Sequence, residues 1–90
     1  MICNMPTVSE FFGISICFYF DDHQPPQFHA FYAEFEAQVS IDTLRIMRGR
    51  LPPRVHGLVV EWAMQHLEDL RRAWDQASAR SPVDPIPPLT

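Results

Sequence analysis

The chain predicts an α+β fold: a small antiparallel sheet of three or four strands packed on one long C-terminal helix, with a Pro-rich tail. Three observations carry this. Apolar residues alternate with period two from Ile14 to Phe20 and again from Phe35 to Ile41. From Val55 to Ala77 they recur at helical spacing instead. Pro52-Pro53 separates the two regimes, and proline suits the first turn of a helix because its missing N–H is not needed there.

In the first strand Ile14, Ile16, Phe18 and Phe20 point one way, and Ser15, Cys17 and Tyr19 the other. Asp21-Asp-His-Gln-Pro-Pro26 breaks it as a loop. Strand character resumes over Gln27 to Tyr32. Ala33-Glu34 then serves as a two-residue hairpin turn before Phe35 to Ile41. Leu44 to Gly49 is the optional fourth strand, after a turn near Asp42-Thr43. The helix carries Val55, Leu58, Val59, Trp62, Ala63, Leu67, Leu70, Trp74 and Ala77 on one stripe. Glu68 and Arg72 stand i, i+4 on the wet side. Gly57, costly inside a helix, is expected to allow close packing on the sheet. Ser81-Pro82 ends the helix, and the four prolines of residues 81–90 make the tail an extended strap or a loose end. Length and layout read as one domain over 1–90, with its core in 6–80 and its tail in 81–90.

Composition excludes several classes. At 90 residues and 47% apolar, the chain supports one core and is not disordered. No run approaches a membrane span and no signal peptide is recognisable, so a cytoplasmic protein with no membrane partner is expected. Two cysteines, Cys3 and Cys17, read as inert thiols, since nothing basic adjoins either to lower its pKa. Phosphate-loop, dinucleotide, zinc-protease and serine-hydrolase motifs are all missing. No cofactor and no metal is expected, because no third ligand stands at diagnostic spacing from Asp22, His23 and His29.

The net charge of −4 hides a segregated layout. Residues 1–42 hold six acids and no base; residues 43–90 hold seven arginines against five acids, and there is no lysine. A uniformly basic nucleic-acid binder is therefore excluded, but a local anion site is not. Arg45, Arg48, Arg50 and Arg54 fall in one acid-free stretch. Arg50 and Arg54 flank the helix start, where cations oppose the helix dipole and invite an anion. Their plainer use is to pair with the chain's own Asp21, Asp22 or Asp42.

Register yields the candidate face. A turn at 33–34 sets Tyr32 opposite Phe35, Ala30 opposite Ala37 and Phe28 opposite Val39, an apolar set that takes the helix. The other face then receives His29 opposite Gln38 and Phe31 opposite Glu36, with Ser15, Cys17 and Tyr19 beside them. His23 and His29 are the candidate acid–base pair, with Asp22 to orient them; the plainer reading makes them loop and cross-strand hydrogen-bonding groups. Tyr19, Phe31, Gln38, Arg50 and Arg54 are the candidate binding residues. His56 is expected in solvent and His66 on a helix flank.

Several segments carry a family resemblance: Met5-Pro-Thr-Val-Ser-Glu-Phe-Phe-Gly-Ile14, Asp22-His-Gln-Pro-Pro-Gln-Phe-His-Ala30, Leu51-Pro-Pro-Arg54 and Glu61-Trp62. Together they resemble the bacterial domain-of-unknown-function family 4160, from Met5 to about Leu89. Members usually have histidine at Gln27, often a basic residue at Cys17 and glycine at Ala33. They often begin at the equivalent of Met5, which makes residues 1–4 an upstream start or a cloning extension. The resemblance implies no settled activity. It does imply toxin–antitoxin-like cassettes in which a second small domain, of family 2442, is encoded alongside. Two functions are thus expected in order. The first is an interaction module that pairs with itself as a homo-oligomer or with that cassette partner. The second is a small RNA-directed hydrolase or nucleic-acid binder using His23 and His29 with Arg50 and Arg54.

Overall fold

The computed structural model describes residues 6–20 and 23–90. Five strands and two helices follow in order: β1 (Thr7–Phe11), β2 (Ile14–Cys17), β3 (Gln27–Tyr32), β4 (Phe35–Ser40), β5 (Ile46–Gly49), α1 (Pro53–Gln65) and α2 (Leu67–Ser78). The strands form one antiparallel sheet in the order β1-β2-β3-β4-β5, each paired with its neighbour in sequence. Local connections of this kind are the simplest way to build a sheet from a short chain.

The β3–β4 hairpin has the register that the turn at 33–34 dictates, with Tyr32 opposite Phe35, Ala30 opposite Ala37 and Phe28 opposite Val39. Ala33 takes a positive φ of 51° to close it. The apolar side chains of β2, β3 and β4 face the helices. Ile14, Ile16, Phe28, Ala30, Ala37 and Val39 are buried together with Val59, Trp62, Ala63, Leu70 and Ala73. Trp62 lies at the centre, its ring 5.3 Å from Phe11 and 5.9 Å from Phe28. Burial of one such large side chain stabilises by about 1.5–3 kcal/mol, so this contact does much to hold helix to sheet.

The expected count of three or four strands on one long helix is corrected on both sides. β1 is an additional strand. Its register slips between Thr7 and Ser9, so the neighbours Val8 and Ser9 are both buried and the alternation that marks a strand is lost. Phe12 and Gly13, both at positive φ (49° and 79°), make the tight turn into β2. The helix is interrupted at His66, whose φ of −135° is not helical. There the His66 ring nitrogen Nδ1 stands 3.3 Å from Asp69 Oδ2, and Glu68 and Asp69 supply negative charge to the new N-terminus.

Two smaller expectations also change. Nothing lies within 4 Å of where a side chain at Gly57 would begin, so this glycine does not serve close packing. His56 is half-buried, with its Nε2 3.1 Å from the Leu44 carbonyl oxygen. The tail is a strap: Ile86 and Leu89 are buried, Ile86 N–H donates to the Val8 carbonyl, and the Trp62 indole N–H donates to the Pro87 carbonyl.

Candidate functional site

The helices cover one face of the sheet. On the other, the strand pairings line up two cross-strand rows. One runs Thr7, Cys17, His29, Gln38, Arg48; the other runs Glu10, Ser15, Phe31, Glu36. Residues directly opposed in such rows have Cβ atoms about 4.5–5.5 Å apart, so each row is a chain of side-chain neighbours. His29 and Gln38 are opposed, and so are Phe31 and Glu36.

His29 sits in the middle of this face yet is 1% exposed. The Tyr19 ring lies over it, stacked at 4.0 Å between centroids and 15° between planes, and is itself 38% exposed. His29 Nδ1 is 3.8 Å from Glu36 Oε2, too long for a direct hydrogen bond and close enough for charge attraction when the ring is protonated. Beyond the strand the chain folds back: the Gln27 side-chain amide donates to the His23 carbonyl at 3.0 Å and the Pro25 carbonyl at 3.2 Å. Gln27, 5% exposed, thus ties down the loop that leads into β3.

His23 lies in that loop and is exposed. Asp22, its expected partner, and the alternative acid Asp21 fall outside the described residues, as do Cys3 and residues 1–4. No hydrogen bond or ring contact joins His23 to His29 among the described residues. Cys17, opposite His29, is buried, with its Sγ 3.5 Å from Thr7 Oγ1. No group of three or more His, Cys, Asp or Glu among the described residues is placed to hold a metal ion.

The arginines divide between two places. Arg48 ends the Cys17–His29–Gln38 row on the open face. Arg50 stands after β5, its N–H donating to the Glu36 carbonyl and its guanidinium 5.5 Å from the centroid of the Phe35 ring. Arg54 is on the helix side, against Phe12, Tyr32, Val55 and Leu58. Among the described residues, Arg45, Arg48, Arg50 and Arg54 form no ion pair, with Asp42 or any other acid. Arg50 and Arg54 lie at the hairpin-turn end of β3, and His23 lies before its other end. Six residues of strand separate those ends by roughly 17–20 Å. The four residues of the expected histidine–arginine site are therefore spread along the molecule, whereas Tyr19, Phe31 and Gln38 share one face.

Sequence reasoning placed Glu36 on the candidate face and Arg48 in the arginine stretch without making either a site residue, and it assigned no role to Phe12. Arg48 enters the row only once the β4–β5 register is known. The Phe12-Gly13 dipeptide was the available signal for a turn, and hence for β1 and an exposed Phe12. No curated protein and no solved structure matches the chain significantly. A family model described as a domain of unknown function, DUF4160, matches residues 13–75, which takes in β2 through most of α2. Among the described residues no helix is long and apolar enough to cross a membrane.

Proposed function

The chain belongs to the DUF4160 family, and from that premise we propose that it is a protein-interaction module. Its binding surface is the sheet face left open by the helices. One observation carries the reading: an open sheet face bearing Tyr19, Phe31, Gln38 and Arg48 as neighbours, two of them aromatic and one an arginine. Aromatic and arginine side chains dominate binding hot spots, the aromatics because they bury large area at low entropic cost and arginine because it makes several charge-assisted hydrogen bonds. Tyr19 is pre-ordered by its stack on His29, so little of its freedom is lost on binding. The partner is a second small cassette protein, of the family 2442 type implied by resemblance, or another copy of the chain. A toxin–antitoxin-like role follows from that pairing.

The test is size-exclusion chromatography with light scattering, on the chain alone and mixed with its encoded neighbour. The expected result is a defined oligomer or complex. The double variant Tyr19→Ala, Phe31→Ala is expected to weaken it at least about thirtyfold, equivalent to about 2 kcal/mol. A strict monomer that ignores its neighbour overturns the reading.

A second reading is binding of nucleic acid at the Arg50–Phe35 pair, which supports stacking of a base beside a phosphate contact. Its stronger form adds hydrolysis by His23 and His29. Filter binding at low and moderate salt tests the first, since phosphate contacts weaken steeply with salt. Loss of cleavage in His29→Ala and His23→Ala tests the second.

A further inference from the structure

At the hairpin-turn end of the molecule, on the helix side, Phe12, Tyr32, Val55, Leu58 and Arg54 line an open pocket of about 270 Å³. We infer that this pocket takes the C-terminal residue of a partner protein, with a bulky apolar side chain in the pocket and the free carboxylate on Arg54. The inference rests on the interaction-module reading only for the class of partner, since the pocket is not on the sheet face assigned above.

The lining sets the chemistry. Four of the five side chains are apolar or aromatic, and the fifth is the only charged one, a cation. Arg54 is exposed and forms no ion pair among the described residues. The first turn of α1 contains no acid that would neutralise it. Charge complementarity therefore calls for an anion beside an apolar body. Arg54 and the buried Val55 both line the pocket, which puts the cation beside the apolar floor. A terminal residue offers the same adjacency, with its carboxylate on the carbon that bears the side chain. The volume suits one side chain and is below that of most pockets for larger ligands, about 300–1,000 Å³. Phe12 adds a wall that is 61% exposed, an aromatic surface the fold itself does not bury. A polyanion fits less well. One arginine lines the pocket, and the chain's net charge of −4 repels repeated phosphates.

The experiment is an NMR titration of the full, isotope-labelled chain with acetyl-Gly-Gly-Phe as free acid. The same peptide as its C-terminal amide, acetyl-Gly-Gly-Gly and a uridine trinucleotide are run alongside. The free acid is expected to shift the amides of Phe12, Gly13, Arg54, Val55 and Leu58. The amide, the triglycine and the Arg54→Gln variant are each expected to bind at least about tenfold more weakly, the loss of one charge-assisted or apolar contact. Arg54 is exposed, so Arg54→Gln is expected to melt with the parent and its loss to report the contact alone. Equal binding of acid and amide, preference for the trinucleotide, or no shift of these amides at millimolar peptide each overturns the inference. Tyr19→Ala, Phe31→Ala is expected to titrate like the parent, which keeps failure of the face reading distinct from failure of this one.

Discussion

Gly57 stands mid-way along α1 with open space where its side chain would begin, and so carries only the cost of a helical glycine. Gly57→Ala is expected to add about 0.5–1 kcal/mol, and thermal melting checks it as a rise of about 2–8 °C. Gly49 is the opposite case. Its φ is +75°, and an added Cβ would fall 2.1 Å from the Glu36 carbonyl oxygen, a backbone atom fixed by the β4–β5 pairing. Gly49→Ala is expected to cost about 2–4 kcal/mol and to lower the urea midpoint, with the loss centred on β5. The sequence shows both residues as glycine and nothing more. What separates them is the backbone angle and the neighbouring carbonyl, which depend on how β5 meets β4.

The junction between α1 and α2 is held by three side chains, His66, Asp69 and Arg72. Hydrogen bonds from Arg72 and His66 hold the Asp69 carboxyl below its ordinary value. A carboxyl depressed in the folded state stabilises fully above its unfolded value and loses that contribution as pH falls through the folded one. Asp69→Asn is therefore expected to lower the melting temperature near neutral pH, with the gap from the parent closing from about pH 4 downwards. The effect is small because the Asp69 and Arg72 side chains are partly exposed to water. The same junction shows why one helix was expected. The stripe Val55, Val59, Trp62, Ala63 continues in phase to Leu70, Ala73, Trp74 and Ala77 across the break, so periodicity carries no sign of it. β1 was hidden for a different reason, because its bulge puts two consecutive residues inside. The β3–β4 hairpin was legible because the residues of β4 alternate without a break and its turn is short. Legibility of the candidate site followed the same division. Strand parity assigned Tyr19, His29, Phe31 and Gln38 to one face, but the burial of His29 arises from a Tyr19 ring beyond the end of β2, where parity no longer predicts contact.

At the scale of the molecule the two sheet edges are treated differently, and the tail is the reason. β5 is short, its register slips between Gln38 and Val39, and arginines stand around it, features that discourage a second chain from pairing there. β1 carries no arginine and one acid, Glu10, and the tail covers it instead. Ile86 N–H bonds the Val8 carbonyl at 2.8 Å, and Ile86 and Leu89 fill the space beside the strand. The Trp62 indole is bonded to Pro87 at 2.8 Å, and Gln76 and Asp84 exchange two further bonds that pin the tail to α2. Burial of the two apolar side chains alone stabilises by about 3–6 kcal/mol. Part of that gain offsets the entropy of ordering the tail, and the remainder counts against a net stability that is small for any domain of this size. Deleting residues 82–90 is expected to lower the urea midpoint by half or more and to make the chain associate through the uncovered β1 edge. The single variant Ile86→Asp, which leaves the length unchanged but buries an unpaired charge, is expected to reproduce most of that loss. Circular dichroism in urea together with light scattering checks both. A truncated chain that unfolds at the parent's midpoint and stays monomeric would mean that the strap covers the edge without contributing to the fold.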